Sequence, residues 1–253
     1  MKTQEPIRAV CVIAMSVAAS VLFTVLAAMA ASPVKITPDV ASTADLTAEI
    51  QTLLTTIEER VASVESYNDY RDQLKRQSLQ IAILSQALAE HESDSMMKKS
   101  APSLRNAALT LARATSHDEA VQVLPRLKEA RDGKLTGTPA ADAEWEKLGR
   151  ASTLMHAMKE RSESVRRALR RPKDPELESR HAMAIALMIL AVHGDLQAVK
   201  NPADRGVWQE TCIELQGHMS RAAAAIKTRD SAAADHFRLG MEACDRCHQK
   251  FKS

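Results

Sequence analysis

C-terminal to residue 43, apolar residues recur at three- and four-residue intervals along almost the whole chain. That spacing stacks them on one face of an α-helix. It predicts helices over 44–66, 68–91, 100–115, 117–131, 141–170, 175–197, 204–227 and 230–251. Several starts carry their own chemistry. Asp118 and Glu119 put negative charge in a first turn, and Pro175-Glu176 does the same beside a residue that needs no backbone donor. Asp204 and Asp230 stand where a side chain can cap the first N–H groups. Outside the N-terminus there are no runs of Val, Ile, Thr and aromatics bounded by turn residues, the pattern a strand would leave. The expected fold class is all-α.

Two stretches break the periodicity. Lys2 and Arg8 precede an apolar run from Ala9 to Ala31, and Ala28-Met29-Ala30 gives a small-x-small pattern before Ala31-Ser32-Pro33. This is the layout of a secretory signal, so 1–31 reads as a signal peptide or membrane anchor. The run approaches spanning length, which keeps an uncleaved anchor as the rival. Cleavage after Ala30 is favoured, and either reading puts the remainder outside the cytoplasm, in the periplasm, as a soluble or a tethered protein. Residues 32–43, with Pro33 and Pro38, read as a linker. The second break is Gly133-Lys134-Leu135-Thr136-Gly137-Thr138-Pro139. It marks a linker at 133–140 between a helical bundle at 44–132 and a second domain at 141–253.

The two halves resemble each other. Leu79-Gln80-Ile81-Ala82-Ile83-Leu84 corresponds to Met183-Ala184-Ile185-Ala186-Leu187-Met188. At the same offset Ala87 meets Ala191, Leu104 meets Trp208, Leu109 meets Ile213 and Leu111 meets Leu215. Arg126 to Ala130 then resembles Arg238 to Ala243 after a small insertion. Any two apolar helices look somewhat alike, but matching order across three helices favours duplication. The expectation is two four-helix bundles in tandem, with short loops making sequential helices antiparallel neighbours.

Composition narrows the function classes. Of 253 residues, 45% are hydrophobic, and 34 basic against 32 acidic side chains leave a net charge of +2. That balance carries no nucleic-acid signal. The densest basic run, Arg161 to Lys173, reads as a solvated helix end, with a docking patch for an acidic partner as the sharper alternative. No G-x-S-x-G, phosphate loop, H-E-x-x-H or dinucleotide fingerprint occurs. An enzyme is not expected.

The cysteines carry the chemistry. Of Cys11, Cys212, Cys244 and Cys247, the last two form Cys244-Asp245-Arg246-Cys247-His248. This C-x-x-C-H is the attachment pattern of a c-type haem. Two thiols must reach two vinyl groups on one porphyrin edge, and the adjacent imidazole must reach the iron. On a helix, residues three and four apart share a face, which is what Cys244, Cys247 and His248 need. Zinc would want a second ligand cluster. A thioredoxin-like redox pair would want a βαβ setting. The expected cofactor is one covalent haem c, with His248 as axial iron ligand.

Residues 141–253 resemble the cytochrome c-prime family. The motif lies close to the C-terminus and is followed by Phe251-Lys252. Val207-Trp208 opens the third helix of this half, Lys227-Thr228-Arg229-Asp230 makes a turn before the last, and Glu144-Trp145-Glu146-Lys147-Leu148-Gly149 is similar to the family's first helix. The resemblance implies a four-helix bundle with haem on its last helix and a distal side supplied by the first. It aligns Trp145 or Leu148 with the blocking position, and leaves Met155 as an alternative iron ligand. Met155 and Met158 read first as core packing, since Met fills gaps between helices. Residues 44–132 contain no cysteine, so that half cannot attach haem.

His181, His193, His218 and His236 read as surface or boundary residues, with His193 or His218 a second axial ligand only if it faced the haem. Cys212 reads as a small buried apolar residue. Arg246 and Lys252 read either as cations at the haem edge or as solvated charges. Three functions follow. The first is an electron carrier serving a redox partner protein or a membrane electron-transport complex. The second is a five-coordinate haem protein that binds a small gas such as NO or CO. The third is a helical interaction module with a structural haem. A homodimer and an internal pseudo-dimer are both open.

Overall fold

A computed structural model describes residues 36–134 and 143–251. The fold is all-α: among the described residues there are eight α-helices, three single-turn 3-10 segments and no strand. The helices are α1 (Thr43–Val61), α2 (Val64–Glu90), α3 (Ala101–Arg113), α4 (His117–Arg131), α5 (Ala151–Arg170), α6 (Pro175–Gly194), α7 (Arg205–Thr228) and α8 (Ala233–Phe251). Residues 1–35, 135–142 and 252–253 lie outside the described residues. With them go the apolar run, the cleavage position at Ala30, most of the linker at 133–140, and Lys252. Among the described residues no helix is long and apolar enough to cross a membrane.

Local chemistry sets the starts. Ser42, Ser63, Ser116 and Asp174 each accept a hydrogen bond from a backbone N–H three residues on, satisfying a donor the helix leaves open. Ser63 therefore divides α1 from α2 earlier than the periodicity predicted. Asp204 makes no such cap and instead pairs with Lys250 at 2.8 Å. The largest departure is α5, which begins at Ala151 rather than 141. Trp145–Lys147 is a 3-10 turn, and Leu148 is fully buried without being helical. Its burial prolongs the apolar pattern past the true helix start. The start is fixed from another helix end, because Asp195 Oδ2 accepts the Ala151 N–H at 3.1 Å.

Sequential helices pack on one another within 36–134 and again within 143–251, and α1 also reaches α4 as α5 reaches α8. The halves meet through α2 on α6, α1 on α6 and α5 on α2. The described residues fall in one compact unit. Its centre is formed by α2 and α6. Every residue from Ser78 to Leu88 is buried, and so is every residue from Ala182 to Val192. Burial all round a helix marks it as enclosed on all sides rather than as a surface helix. The two enclosed stretches stand at the same offset as the matched hexapeptides.

Candidate functional site

α8 brings the cysteine motif to one face. Ala233, Phe237, Gly240, Ala243 and Cys247 are its buried residues, repeating at three- and four-residue steps. The helix lies tight on α7, because a Cβ at Gly240 would stand 2.6 Å from Met219 Cε and 3.4 Å from Leu215 Cδ1. Further along, Arg246 pairs with Glu214 at 2.5 Å and Lys250 with Asp204 at 2.8 Å. The Phe251 and Trp208 rings meet edge to face at 5.2 Å. Trp208 is anchored in turn, its Nε1–H donating to the Val192 carbonyl at 3.0 Å.

α5 faces α8 across a cleft of about 630 Å³. Cys244, Cys247 and His248 line one wall. Ser152, Met155, His156, Met158, Lys159, Ser162 and Arg166 line the other, with Ile185, Trp208, Met219, Met241 and Phe251 closing the floor and ends. A separate small pocket of about 20 Å³ also borders the motif, lined by Met155, Ile189, Cys212 and Leu215 among others. The structure therefore brings Met155 together with all three motif residues. Trp145 and Leu148 stand elsewhere: the Trp145 Nε1–H donates to Glu90 at 3.0 Å, and Leu148 lines a separate cleft beside Leu79 and Arg113.

Cys212, Cys244 and Cys247 are all free of disulfides. Burial pushes the Cys244 thiol up to about 12, with the charges of Cys247 and Asp245 adding and Arg166 opposing. Burial raises Cys247 as well. Both rest as neutral thiols, whereas a thioredoxin-type nucleophile needs a lowered pKa. Burial also raises Cys212, in keeping with a buried apolar residue. Among the described residues no three His, Cys, Asp or Glu side chains gather as a metal site. Haem iron would need only His248 from this motif.

The cleft fits a haem. Its volume lies within the roughly 300–1,000 Å³ usual for cofactor sites, its floor is Met, Ile, Trp and Phe, and the two thiols and the imidazole open into one space. Lys159 and Arg166 supply positive charge at its α5 side. Arg246 is committed to Glu214 and does not line it. His193 and His218 do not line it either. In the N-terminal half, α4 ends at Arg131, and Glu58 of α1 draws in Lys128 at 3.5 Å and Arg131 at 3.8 Å. Ion pairs join α1 to α4 where the other half has a cleft between α5 and α8.

Sequence reasoning missed the groups behind α5. Arg161 opens the basic run expected to be solvated, yet it is buried. Its Nη2 lies 2.5 Å from Glu49 Oε1, its Nε donates to Gln80 Oε1 at 2.8 Å, and its Nη1 meets His181 Nδ1 at 2.9 Å. The signal was present: Arg161 is in phase with Leu154, Ala157, Val165 and Ala168, the buried stripe of α5. Comparison of the chain with family models, curated proteins and solved structures found no match.

Proposed function

We propose that this chain is an exported c-type cytochrome of cytochrome c-prime type that carries one covalent haem and transfers electrons in the periplasm. The observation that carries the reading is the convergence of Cys244, Cys247 and His248 on an apolar cleft with Met155 across it. Haem held there supplies a one-electron couple and an iron whose sixth position is set by the distal wall. Cys244 and Cys247 would hold the group, His248 would ligate its iron, and Met155 would be the side chain available to it from the opposite wall. Lys159 and Arg166 balance its negative charge. Burial keeps both cysteines as neutral thiols, which argues against a thioredoxin-type nucleophile here. No enzymatic activity is proposed.

The finer architecture belongs to the same reading. Two four-helix bundles stand in tandem, the first without haem. Its support is the pairing of α1 with α6 and of α5 with α2, which interchange when each helix is swapped for its counterpart. An isologous interface between two copies has that form. Residues 36–134 are thus an internal partner. The apolar run at 9–31 fits export, which covalent haem attachment outside the cytoplasm requires.

Optical spectra of the exported protein test the proposal. A pyridine haemochrome typical of haem c is expected, and its absence would sink the reading. A low-spin reduced spectrum indifferent to carbon monoxide is expected, with Met155→Leu opening the iron to carbon monoxide. A high-spin wild-type spectrum that shifts with carbon monoxide would replace electron transfer with gas binding as the function.

A further inference from the structure

We propose that the haem-free half is a brace for the distal wall of the cleft and acts through Arg161, a positioning residue held by Glu49 and Gln80. The proposal rests on the cleft being a haem site. Every residue lining the cleft comes from the C-terminal half, so any influence of the other half on it passes through the helices it touches. The proximal wall does not need that influence. α8 is fixed to α7 by Arg246 on Glu214, Lys250 on Asp204 and Phe251 on Trp208.

The distal wall is different. α5 meets α8 at few points, because the cleft lies between them. Two faces of α5 divide its tasks. Met155, Met158, Ser162 and Arg166 turn to the cleft, while Leu154, Ala157, Arg161 and Val165, each one position away, are buried on the adjoining face. One residue is a rotation of about 100° on a helix, so whatever fixes Arg161 fixes the direction of Met155 and Met158. Three nitrogens of Arg161 engage three other helices: Glu49 on α1, Gln80 on α2 and His181 on α6. A planar guanidinium bonded on three sides tolerates little rotation or sliding. Glu160, its neighbour, adds a second tie to the same half through Arg76 at 2.7 Å. Glu49 is almost fully enclosed, and its other oxygen lies 3.9 Å from Arg180 Nη1. A buried carboxylate between two guanidiniums is costly to move and sets one arrangement.

The test uses the full haem-loaded chain. Glu49→Gln and Gln80→Leu are compared with wild type and with Glu58→Gln, which disturbs the same half at the α1–α4 ion pairs. Haem content is read by pyridine haemochrome, the distal side by spin state and carbon monoxide affinity, and α5 by amide exchange over 154–162. Glu49→Gln and Gln80→Leu should keep their haem, yet let carbon monoxide displace Met155 at a gas concentration roughly 5-fold or more below any at which wild type binds it, the lower range of coupling between sites. They should also speed exchange on α5, while Glu58→Gln keeps the wild-type spectrum. Folded, haem-bearing Glu49→Gln with an unchanged spectrum and affinity would overturn the brace, and so would an equal shift in Glu58→Gln. If Glu49→Gln does not fold, Gln80→Leu decides by the same criteria, since it leaves the ion pair in place. If wild type carries no haem, the cofactor reading fails, and the brace stands or falls on whether Glu49→Gln and Gln80→Leu speed exchange over 154–162.

Discussion

His181 is the imidazole in the cluster of groups that holds Arg161. Burial lowers its pKa to about 4, and the guanidiniums of Arg161, Arg167 and Arg180 push the same way, with Arg161 donating to its Nδ1. The ring is therefore neutral in the folded protein at neutral pH. The unfolded chain takes up the proton near 6.5 and the folded chain only near 4. Between these values the unfolded state binds more protons, so stability falls as pH drops through that window. The loss approaches ~3 kcal/mol by pH 4, taken from the width of the window. Denaturant titrations at several pH values should show this slope in wild type and a shallower one in His181→Gln. Equal slopes would remove His181 from the account. In the sequence His181 read as a boundary residue, because its partner Arg161 comes from another helix. Cys244, Cys247 and His248 were legible because their chemistry needs only local spacing on one helix. Met155 was legible only as one of several candidates, since spacing does not say which way a helix faces.

At the scale of elements, helix contacts were readable and helix ends less so. Apolar periodicity continues through Leu148, a buried residue outside any α-helix, and so overruns the start of α5 at Ala151. The ends that matter for function are those of α7 and α8. α7 stops at Arg229, which takes the left-handed conformation with φ of 58° while Asp230 N–H reaches back to the Ala225 carbonyl at 2.8 Å. Glycine is the residue suited to that position. Arg229→Gly should therefore stabilise by about 1 kcal/mol, a relief of backbone strain, visible as a higher denaturation midpoint. A lower midpoint would mean that the arginine side chain contributes more than the strain costs. Gly240 makes the opposite case. Its α-hydrogen face lies against buried Met219, one turn before Cys244. Gly240→Val should cost ~1–3 kcal/mol by overpacking, and should lift α8 from α7. Unchanged stability in that variant would show that the helices do not need the close approach.

For the whole molecule, the question is whether the halves are separable. The sequence suggested two domains, since Gly133 to Pro139 interrupts the pattern and the halves match in order. Pattern alone could not reveal that the central stretches Ser78–Leu88 and Ala182–Val192 are enclosed on every side. That enclosure comes from helices of both halves, because α6 packs on α1 and α2 as well as on α5 and α7. A chain of residues 143–251 alone would open one side of α6 and leave Arg161 without Glu49 and Gln80. Breaking a buried ion pair costs ~3–5 kcal/mol, a large share of the ~5–15 kcal/mol that a domain has in total. The fragment should therefore not persist as a folded monomer. It should melt at low temperature, or pair with a second copy through the α5–α6 face that now meets α1 and α2. Gel filtration and far-UV circular dichroism over a range of concentrations would distinguish these outcomes, and adding residues 36–134 in trans should give a folded 1:1 complex of the two fragments. A fragment that melts cooperatively as a monomer with native helicity would mean that the C-terminal half completes its own core. The buried Arg161 would then keep only His181 as a partner, and the N-terminal half would be an attachment rather than a structural partner.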